Sequence, residues 1–428
     1  MKRFSLVSGI AFASVFAPAL ADQGYAVAEA FEEASLPALL QAARAQNPEI
    51  KAAHARYQAM RQRPVQERTL PDPALGVRYH NEKSDQITFG ESEFSFVELF
   101  AEQEVPFPGK LGLRGDMADR EADREGAMRD ATMLMVLARV ASSYVDLAVA
   151  DRSRALLAES QRALDLMVEQ ANAAYGVGTA AQQDVLRGTL ERDVLVERLT
   201  MLGQRRVAAQ AALNALLARP AETEIPLTTW SDATASLPPA EELRKRLADA
   251  APELRAARES VLQSSAALDL AQREYLPDFA FMAGYTNKDG LEPEWEVGMR
   301  LKVPLYFWRR QQPAVAEATY VKTAAEHTQR NVRSTLEGRL AQVVSMGEAA
   351  ARLVRLYGDK LVPQAGLTLA SARNSYAVGK VDFLTVLTAF TALLDYQVRQ
   401  VEEIGNLQRA RAELAPLIGE SPPEAWDK

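Results

Sequence analysis

The sequence contains an internal duplication, in which short motifs of the first half return in the same order in the second half. In chain order the pairs are Leu70-Pro71-Asp72 with Leu276-Pro277-Asp278, Val105-Pro106-Phe107 with Val303-Pro304-Leu305, Tyr175-Gly176-Val177-Gly178 with Tyr376-Ala377-Val378-Gly379, and Asp184-Val185-Leu186 with Asp382-Phe383-Leu384. An ordered series of this kind indicates two structurally similar units. The chain is therefore expected to fold as two related halves that pack together.

The first residues have the pattern of a secretory signal peptide. Lys2 and Arg3 precede an uncharged apolar stretch over residues 4–16, and Ala19-Leu20-Ala21 offers small residues for cleavage. The mature chain is then expected to begin at Asp22. Because the chain has no cysteine, it can carry neither disulfides nor a lipid on an N-terminal cysteine. An exported protein of this kind must be held together by packing.

A segment rich in Pro, Thr and Ser separates the two halves and serves as the natural linker. The expected organisation is a signal peptide over residues 1–21, a first repeat over 22–219, a linker over 220–239, a second repeat over 240–419 and a C-terminal tail over 420–428. Within each repeat the predicted order is helix, strand, strand, long helix, short break and helix.

The helical runs are unusually long. Residues 36–68 lack glycine and read as one helix, residues 110–173 carry an apolar stripe at helical spacing, and residues 180–217 continue as helix after a break. The second half repeats this with a long run over residues 312–374. At 1.5 Å per residue the longest run reaches about 95 Å, which suits a rod or tube wall with coiled-coil-like packing. After residue 21 we expect no apolar run of the roughly 18 to 20 residues that a spanning helix needs.

Strand-like segments with alternating polar and apolar residues lie between the helices, at residues 73–80, 94–105, 278–285 and 294–305. Each is close to the length of a tilted membrane strand. The candidates for lipid contact are Phe279, Phe281, Trp295, Val297, Met299 and Leu301. Four strands cannot close a barrel, whereas three copies would supply about twelve. The alternative is a pair of soluble hairpins that pack on the helices.

Charge and motifs bear on the class of function. The net charge of -8 argues against a nucleic-acid partner. His54, His80 and His327 are isolated, without the spacing of metal ligands. Nothing in the sequence resembles a nucleophile-base pair or a phosphate-binding loop. We therefore expect neither an enzyme nor a resident metal or cofactor.

The chain resembles the TolC-type outer-membrane efflux proteins from about Leu36 to Gly419. The matching residues are Asn47-Pro48-Glu49, Leu70-Pro71-Asp72-Pro73, the segment Val105 to Leu111, and the two Tyr-x-x-Gly breaks with the aspartates that follow them. The resemblance implies a mostly α fold with a membrane β-barrel part. It implies a homotrimer with a 12-stranded barrel in outer-membrane lipid and an α-helical periplasmic tunnel.

The resemblance also implies partners and cargo. Its members dock onto a periplasmic adaptor protein and an inner-membrane pump, here of the resistance-nodulation-division type. The segment Pro106 to Leu113 looks most similar to components that serve heavy-metal pumps of the copper/silver or cobalt/zinc/cadmium kind. The implied function is export of heavy-metal cations. One alternative is a drug-efflux or protein-secretion duct of the same fold. Another is a periplasmic coiled-coil scaffold or adaptor.

By the same resemblance, the two glycine breaks form the periplasmic tip, where the tunnel closes and the adaptor docks. The candidate gate or docking residues are Tyr175, Gly178, Gln182, Gln183, Asp184, Tyr376, Gly379 and Asp382. Glycine allows the backbone to reverse between two antiparallel helices. Asp184 and Asp382 follow the breaks, so two interpretations remain open. Each caps a helix N-terminus, or each contributes to an acidic ring around the tunnel axis.

Overall fold

The computed structural model describes residues 35–82, 85–88, 94–226, 228, 237–288 and 291–422. The expected signal peptide, with its cleavage site, lies outside the described residues, as do parts of the linker and of the C-terminal tail. In the described part of the chain, ten α-helices and four strands form two successive units, each with helices before and after a pair of strands.

The first unit runs from residue 36 to residue 216. Its elements are α1 (Leu36–Gln46), α2 (Pro48–Met60), α3 (Arg63–Arg68), β1 (Ala74–His80), β2 (Phe96–Val105), α4 (Lys110–Gly176) and α5 (Gln182–Leu216). The second unit follows with α6 (Ala240–Ala250), α7 (Pro252–Arg273), β3 (Asp278–Asn287), β4 (Glu294–Lys302), α8 (Gln311–Leu356), α9 (Val362–Ala377) and α10 (Phe383–Leu417). Helices α5 and α10 both contain 35 residues.

The prediction of one continuous helix over residues 36–68 was wrong. The helix divides at Asn47 and again at residues 61–62, and a proline stands in the first turn of both α2 and α3. Proline lacks the N–H of an interior helical residue but is tolerated at a helix start. The Asn47 side chain caps α2 by accepting hydrogen bonds from the backbone N–H groups of Glu49 and Ile50, at 2.8 and 3.1 Å.

The two long helical runs differ at one point. Helix α4 is continuous over 67 residues, whereas the second run contains a π-helical turn, Tyr357–Leu361, between α8 and α9. Pro363 stands at the start of α9. Because proline has no N–H and its ring collides with the carbonyl four residues earlier, a wider turn there lets the helix continue.

The four strands form a single antiparallel sheet in the order β1-β2-β3-β4. Strands β1 and β2 belong to the first unit, β3 and β4 to the second, so the central β2–β3 pair joins the two units. In that pair Val105 lies opposite Phe279, and Val97 lies opposite Asn287. Strands β1 and β4 are the two edges of the described sheet.

Helix α4 forms the centre of the helical region and packs against α5, α7 and α10. Small and branched residues dominate the buried clusters along it, with Leu137, Val140 and Leu147 fully buried. Contrary to the sequence-based expectation, one window of α4 is long and apolar enough to cross a membrane. Because 61% of that window is buried inside the fold, it is explained as the core-facing part of an interior helix.

Candidate functional site

The sheet has one apolar and one polar face, because side chains alternate along every strand. The register places the residues of the apolar face beside one another across all four strands. They are Leu75, Val77 and Tyr79 on β1, Val97, Leu99 and Ala101 on β2, Phe279, Phe281, Ala283 and Tyr285 on β3, and Trp295, Val297, Met299 and Leu301 on β4. Trp295 and Val297 are 77% and 85% exposed. Exposed apolar side chains in this arrangement are typical of a lipid-facing surface.

All six candidates for lipid contact lie on this apolar face, with different exposure. Phe281, Trp295, Val297, Met299 and Leu301 are exposed in the single chain. Phe279 is half-buried, because its ring stacks on Phe107 with 6.2 Å between the ring centroids. Phe279 therefore packs at the base of the sheet, where the strands meet the helices.

The opposite face of the sheet carries charged side chains. Arg78 of β1 donates to the buried Glu98 of β2 at 2.9 Å. Arg300 of β4 donates to both carboxylate oxygens of Glu102, at 2.9 and 3.1 Å. Bidentate pairs of this kind fix the geometry of both side chains. A sheet that is apolar on one face and charged on the other has the polarity of a membrane barrel wall.

A buried lysine joins the helices to the sheet. Lys110, the first residue of α4, is 1% exposed. Its ammonium group donates to the Asp278 carboxylate at 2.8 Å, to the Leu276 carbonyl at 2.9 Å and to Glu274 at 3.1 Å. Asp278 also accepts from the backbone N–H of Phe107 at 2.9 Å. The start of α4 in the first unit is thus fixed to the Leu-Pro-Asp segment of the second.

At the other end of the long helices, both Tyr-x-x-Gly breaks form the same C-terminal turn. The N–H of Gly178 donates to the Tyr175 carbonyl, and that of Thr179 to the Ala174 carbonyl, both at 2.9 Å. Gly379 repeats the first of these bonds with the Tyr376 carbonyl at 3.0 Å. Gly178 and Gly379 have φ of 78° and 70°, a conformation that favours glycine. This is the Schellman motif, which satisfies the last carbonyls of a helix.

The two tip aspartates have different local roles. Asp382 is the N-cap of α10, and its carboxylate accepts from the Thr385 backbone N–H at 3.0 Å and from the Thr385 hydroxyl. These hydrogen bonds hold the pKa of Asp382 below its ordinary value, with a further contribution from Arg187. Asp184 instead lies in the first turn of α5, whose N-cap is Ala181. The carboxylate of Asp184 is half-buried and does not cap α5 in the described structure.

The two tip tyrosines also differ. Tyr376 packs into the apolar cluster at the tip and contacts Phe383 edge-on, with 6.0 Å between the ring centroids. Burial raises the pKa of the Tyr376 hydroxyl, and the nearby charge of Asp184 raises it further. Tyr175 is exposed, as are Gln182 and Gln183. The structure therefore places Tyr376 within range of the charge of Asp184 and leaves Tyr175 on the surface.

Several apolar side chains are exposed around the tip, in addition to the residues singled out from the sequence. They are Val177, Leu186, Leu190, Val378 and Leu384. All of them except Leu190 belong to the repeated motifs, so the apolar residues of those motifs could have identified them. Several exposed apolar side chains near one end of a fold are typical of a contact surface.

The three histidines lie on three different elements of the fold. His54 is on α2 beside Gln58, and His80 ends β1, where its ring stacks on Phe96. His327 lies on α8. Among the described residues, no group of three or more His, Cys, Asp or Glu side chains has a spacing that could hold a metal ion.

A family model described as outer membrane efflux protein matches residues 39–219 and 243–420. No curated protein matches the chain by sequence. Among solved structures, the transmembrane channel protein CusC superposes with a TM-score of 0.79 at 15% identity, over 91% of this chain and 93% of that one. The outer membrane protein VceC from Vibrio cholerae superposes with a TM-score of 0.76 at 19% identity, over 91% and 97%. The open outer membrane channel MtrE of Neisseria gonorrhoeae gives 0.75 at 17% identity, over 91% and 90%.

Proposed function

The chain belongs to the outer membrane efflux protein family, and we propose that it is the exit duct of a tripartite system that exports heavy-metal cations. Members of this family are outer-membrane efflux channels and not enzymes. Channels of the family form trimers that work with periplasmic adaptors and inner-membrane pumps. For this chain we propose a homotrimer, a periplasmic adaptor and a pump of the resistance-nodulation-division type.

The observation that carries the cation proposal is the charge on the polar face of the sheet. Its carboxylates outnumber its basic groups: Glu98, Glu102, Glu104, Glu294 and Glu296 stand against Arg78, Arg300 and Lys302. In a trimeric barrel this face lines the lumen, and the excess of negative charge is repeated three times. Rings of carboxylates favour the passage of cations. The likeness of the segment Pro106 to Leu113 to metal-efflux components supports the same substrate class.

Growth of the host strain tests the substrate class. Deletion of the gene is expected to lower tolerance to copper, silver, zinc or cadmium, and to leave antibiotic tolerance near the wild-type value. A strain that loses antibiotic tolerance while its metal tolerance is unchanged would identify a drug duct of the same fold. Failure to secrete a protein would identify the secretion alternative.

For the gate we propose that Asp184 contributes the acidic ring at the tip. Its carboxylate is not used as a helix cap, whereas that of Asp382 is. Gln182 and Gln183 are exposed beside it and are the proposed hydrogen-bond partners from the neighbouring copies. The exposed Tyr175 and the apolar side chains around the Gly178 and Gly379 turns are proposed to receive the adaptor.

Planar-bilayer recordings test the gate. Asp184→Ala is expected to raise single-channel conductance or to weaken cation selectivity, because it removes three charges from the proposed constriction. Thr385→Val is the matched control, since it perturbs the cap of α10 and leaves both tip carboxylates in place. Equal conductance and selectivity in wild type and Asp184→Ala would show that Asp184 takes no part in gating.

A further inference from the structure

The connection between the second strand of each hairpin and the long helix that follows differs between the two repeats. Residues 106–109 lead from Val105 to α4, whereas the longer stretch of residues 304–310 leads from Val303 to α8. The first connection ends at Lys110, which is buried and paired. The second ends in three aromatic residues and two arginines, and all five side chains are exposed. We call residues 305–310 the aromatic-basic turn.

Hydrogen bonds of its own backbone fix the aromatic-basic turn. The N–H groups of Arg309 and Arg310 both donate to the Tyr306 carbonyl, at 3.0 and 3.2 Å. The Trp308 ring meets the rings of Tyr306 and Phe307 edge-on, with 6.0 and 5.2 Å between the centroids. A surface whose parts are held in place before a ligand arrives loses less entropy on binding. The turn is therefore preorganised to present its side chains together.

The turn continues the apolar face of the sheet beyond the end of β4. Leu301, Val303 and Leu305 are exposed apolar side chains at alternating positions. Tyr306 and Trp308 follow them, with 71% and 52% of their surface exposed. Tyrosine and tryptophan are enriched where the hydrocarbon of a membrane meets water, because each has an apolar ring system and a polar group. Under the proposed function the apolar face contacts lipid, so the turn lies at the level of the lipid headgroups.

Arg309 and Arg310 give the turn two positive charges without a compensating carboxylate. Neither forms an ion pair with another described residue, and residues 305–310 include no Asp or Glu. Helix α8 begins at the next residue, and no side chain caps its positive N-terminal end. Arginine matches the geometry of phosphate oxygens. The ammonium group of a zwitterionic headgroup would find no carboxylate in this turn, whereas a headgroup of net negative charge is complementary to it.

We propose that the aromatic-basic turn binds the headgroup phosphate of an anionic phospholipid, with phosphatidylglycerol as the simplest example. Arg309 and Arg310 bind the phosphate oxygens, and the rings of Tyr306 and Trp308 pack against the glycerol and the upper part of the acyl chains. The proposal rests on the proposed outer-membrane channel. It adds the class of lipid that the channel selects and the residues that select it.

Quenching of Trp308 fluorescence by brominated lipids tests the proposal in the reconstituted protein. The other three tryptophans, Trp230, Trp295 and Trp426, are first replaced by Phe, so that Trp308 alone reports. The full-length protein is then reconstituted into phosphatidylcholine vesicles. One sample contains a fixed mole fraction of brominated phosphatidylglycerol, and a parallel sample contains the same fraction of brominated phosphatidylcholine. The ratio of quenching in the two samples gives the preference for the anionic headgroup beside Trp308.

The test variant is Arg309→Gln with Arg310→Gln. The matched control is Arg330→Gln with Arg333→Gln, which removes the same charge from exposed positions about 30 Å along α8. Arg309→Lys with Arg310→Lys keeps the charge in the turn. The unaltered turn is expected to favour phosphatidylglycerol by about fivefold. The test variant should abolish this preference, whereas the matched control should keep it and the lysine variant should retain most of it.

Equal quenching by the two lipids with the unaltered turn would overturn the proposal, and so would a preference that persists in the test variant. A test variant that is monomeric in detergent, while the wild-type protein is a trimer, would assign the arginines to a contact with a neighbouring copy. In each of these cases, conduction by the reconstituted wild-type protein in a planar bilayer leaves the proposed channel standing. A wild-type protein that is monomeric and remains in the periplasm without detergent would instead contradict the proposed function itself.

Discussion

At the end of each repeat the backbone turns through a left-handed residue, and the two repeats use different residues there. Ala218 follows α5 with φ of 54°, and Gly419 follows α10 with φ of 72°. Both ends form the same pair of hydrogen bonds, for example Arg219 N–H to the Asn214 carbonyl and Glu420 N–H to the Ala415 carbonyl, each at 2.9 Å. Alanine is strained in this conformation and glycine is not.

Ala218→Gly is therefore expected to stabilise the protein by about 1 kcal/mol, because relief of the left-handed strain exceeds the added entropy of the unfolded chain. The reverse change, Gly419→Ala, should destabilise it, since a Cβ there would lie 2.5 Å from the Ala250 carbonyl oxygen. Thermal unfolding in detergent measures both midpoints. A lower midpoint for Ala218→Gly would show that the turn at the end of α5 is not strained.

The N-cap of α10 gives a pH-dependent prediction. The pKa of Asp382 is lowered in the folded protein by the hydrogen bonds from Thr385. Its stabilising contribution is therefore fully present above the ordinary value of 3.8 and is lost as the pH falls through the lowered folded value. The difference in unfolding midpoint between wild type and Asp382→Ala should be largest near neutral pH and should shrink below pH 3.8. A difference that grows as the pH falls would contradict the capping role.

At the scale of elements, the length of the helices and the alternation of the strands were readable from the sequence. The long helix expected over residues 110–173 is α4, Lys110–Gly176, and the expected strands agree with β1 to β4 within a few residues. The division of residues 36–68 into three helices was not predicted. The helix propensity of the surrounding residues is continuous, and it outweighed the interruptions at Pro48 and Pro64 in the sequence-based prediction. The π-helical turn before Pro363 was missed for the same reason, since its sequence otherwise continues the helix.

The role of Lys110 could not be predicted from the sequence either, although the residue stands in a motif that supported the family resemblance. Its three partners come from Glu274 to Asp278, more than 160 residues later in the chain. A contact between elements so distant in sequence depends on how β2 and β3 pair. No local pattern around Lys110 indicates that pairing.

Lys110→Met is expected to destabilise the junction between α4 and β3. The change removes three charge-assisted hydrogen bonds, leaves Asp278 without its ion-pair partner and leaves Glu274 with Arg114 alone, which we place at about 1–3 kcal/mol because both carboxylates are partly exposed. Arg114→Met is the matched control, since Arg114 contacts the same Glu274 at 3.7 Å with a side chain that is 38% exposed. Unfolding midpoints and the yield of assembled protein in the outer membrane measure the difference. Equal effects of the two changes would show that burial of Lys110 adds nothing.

At the scale of the whole molecule, the sheet can enclose a lumen only if its polar face points inward. Within one copy, two of the carboxylates on that face are paired with arginines, and Glu294 is paired with Lys288. Glu104 and Glu296 are exposed on the same face, and Lys302 is the basic residue there outside the two arginine pairs. The field in a trimeric lumen is then set mainly by these three positions, each present three times.

Glu104→Gln with Glu296→Gln is therefore expected to lower the cation-to-anion permeability ratio, by about twofold or more at low salt. Lys302→Gln should change the ratio in the opposite direction, because it removes positive charge from the same face. Both effects should fade in 1 M salt, where the screening length is only about 3 Å. Reversal potentials across a salt gradient in a planar bilayer measure the ratio. The two sets of substitutions change the charge of one surface in opposite directions. If both shift the permeability ratio in the same direction, or if neither shifts it, this face does not line the conducting path.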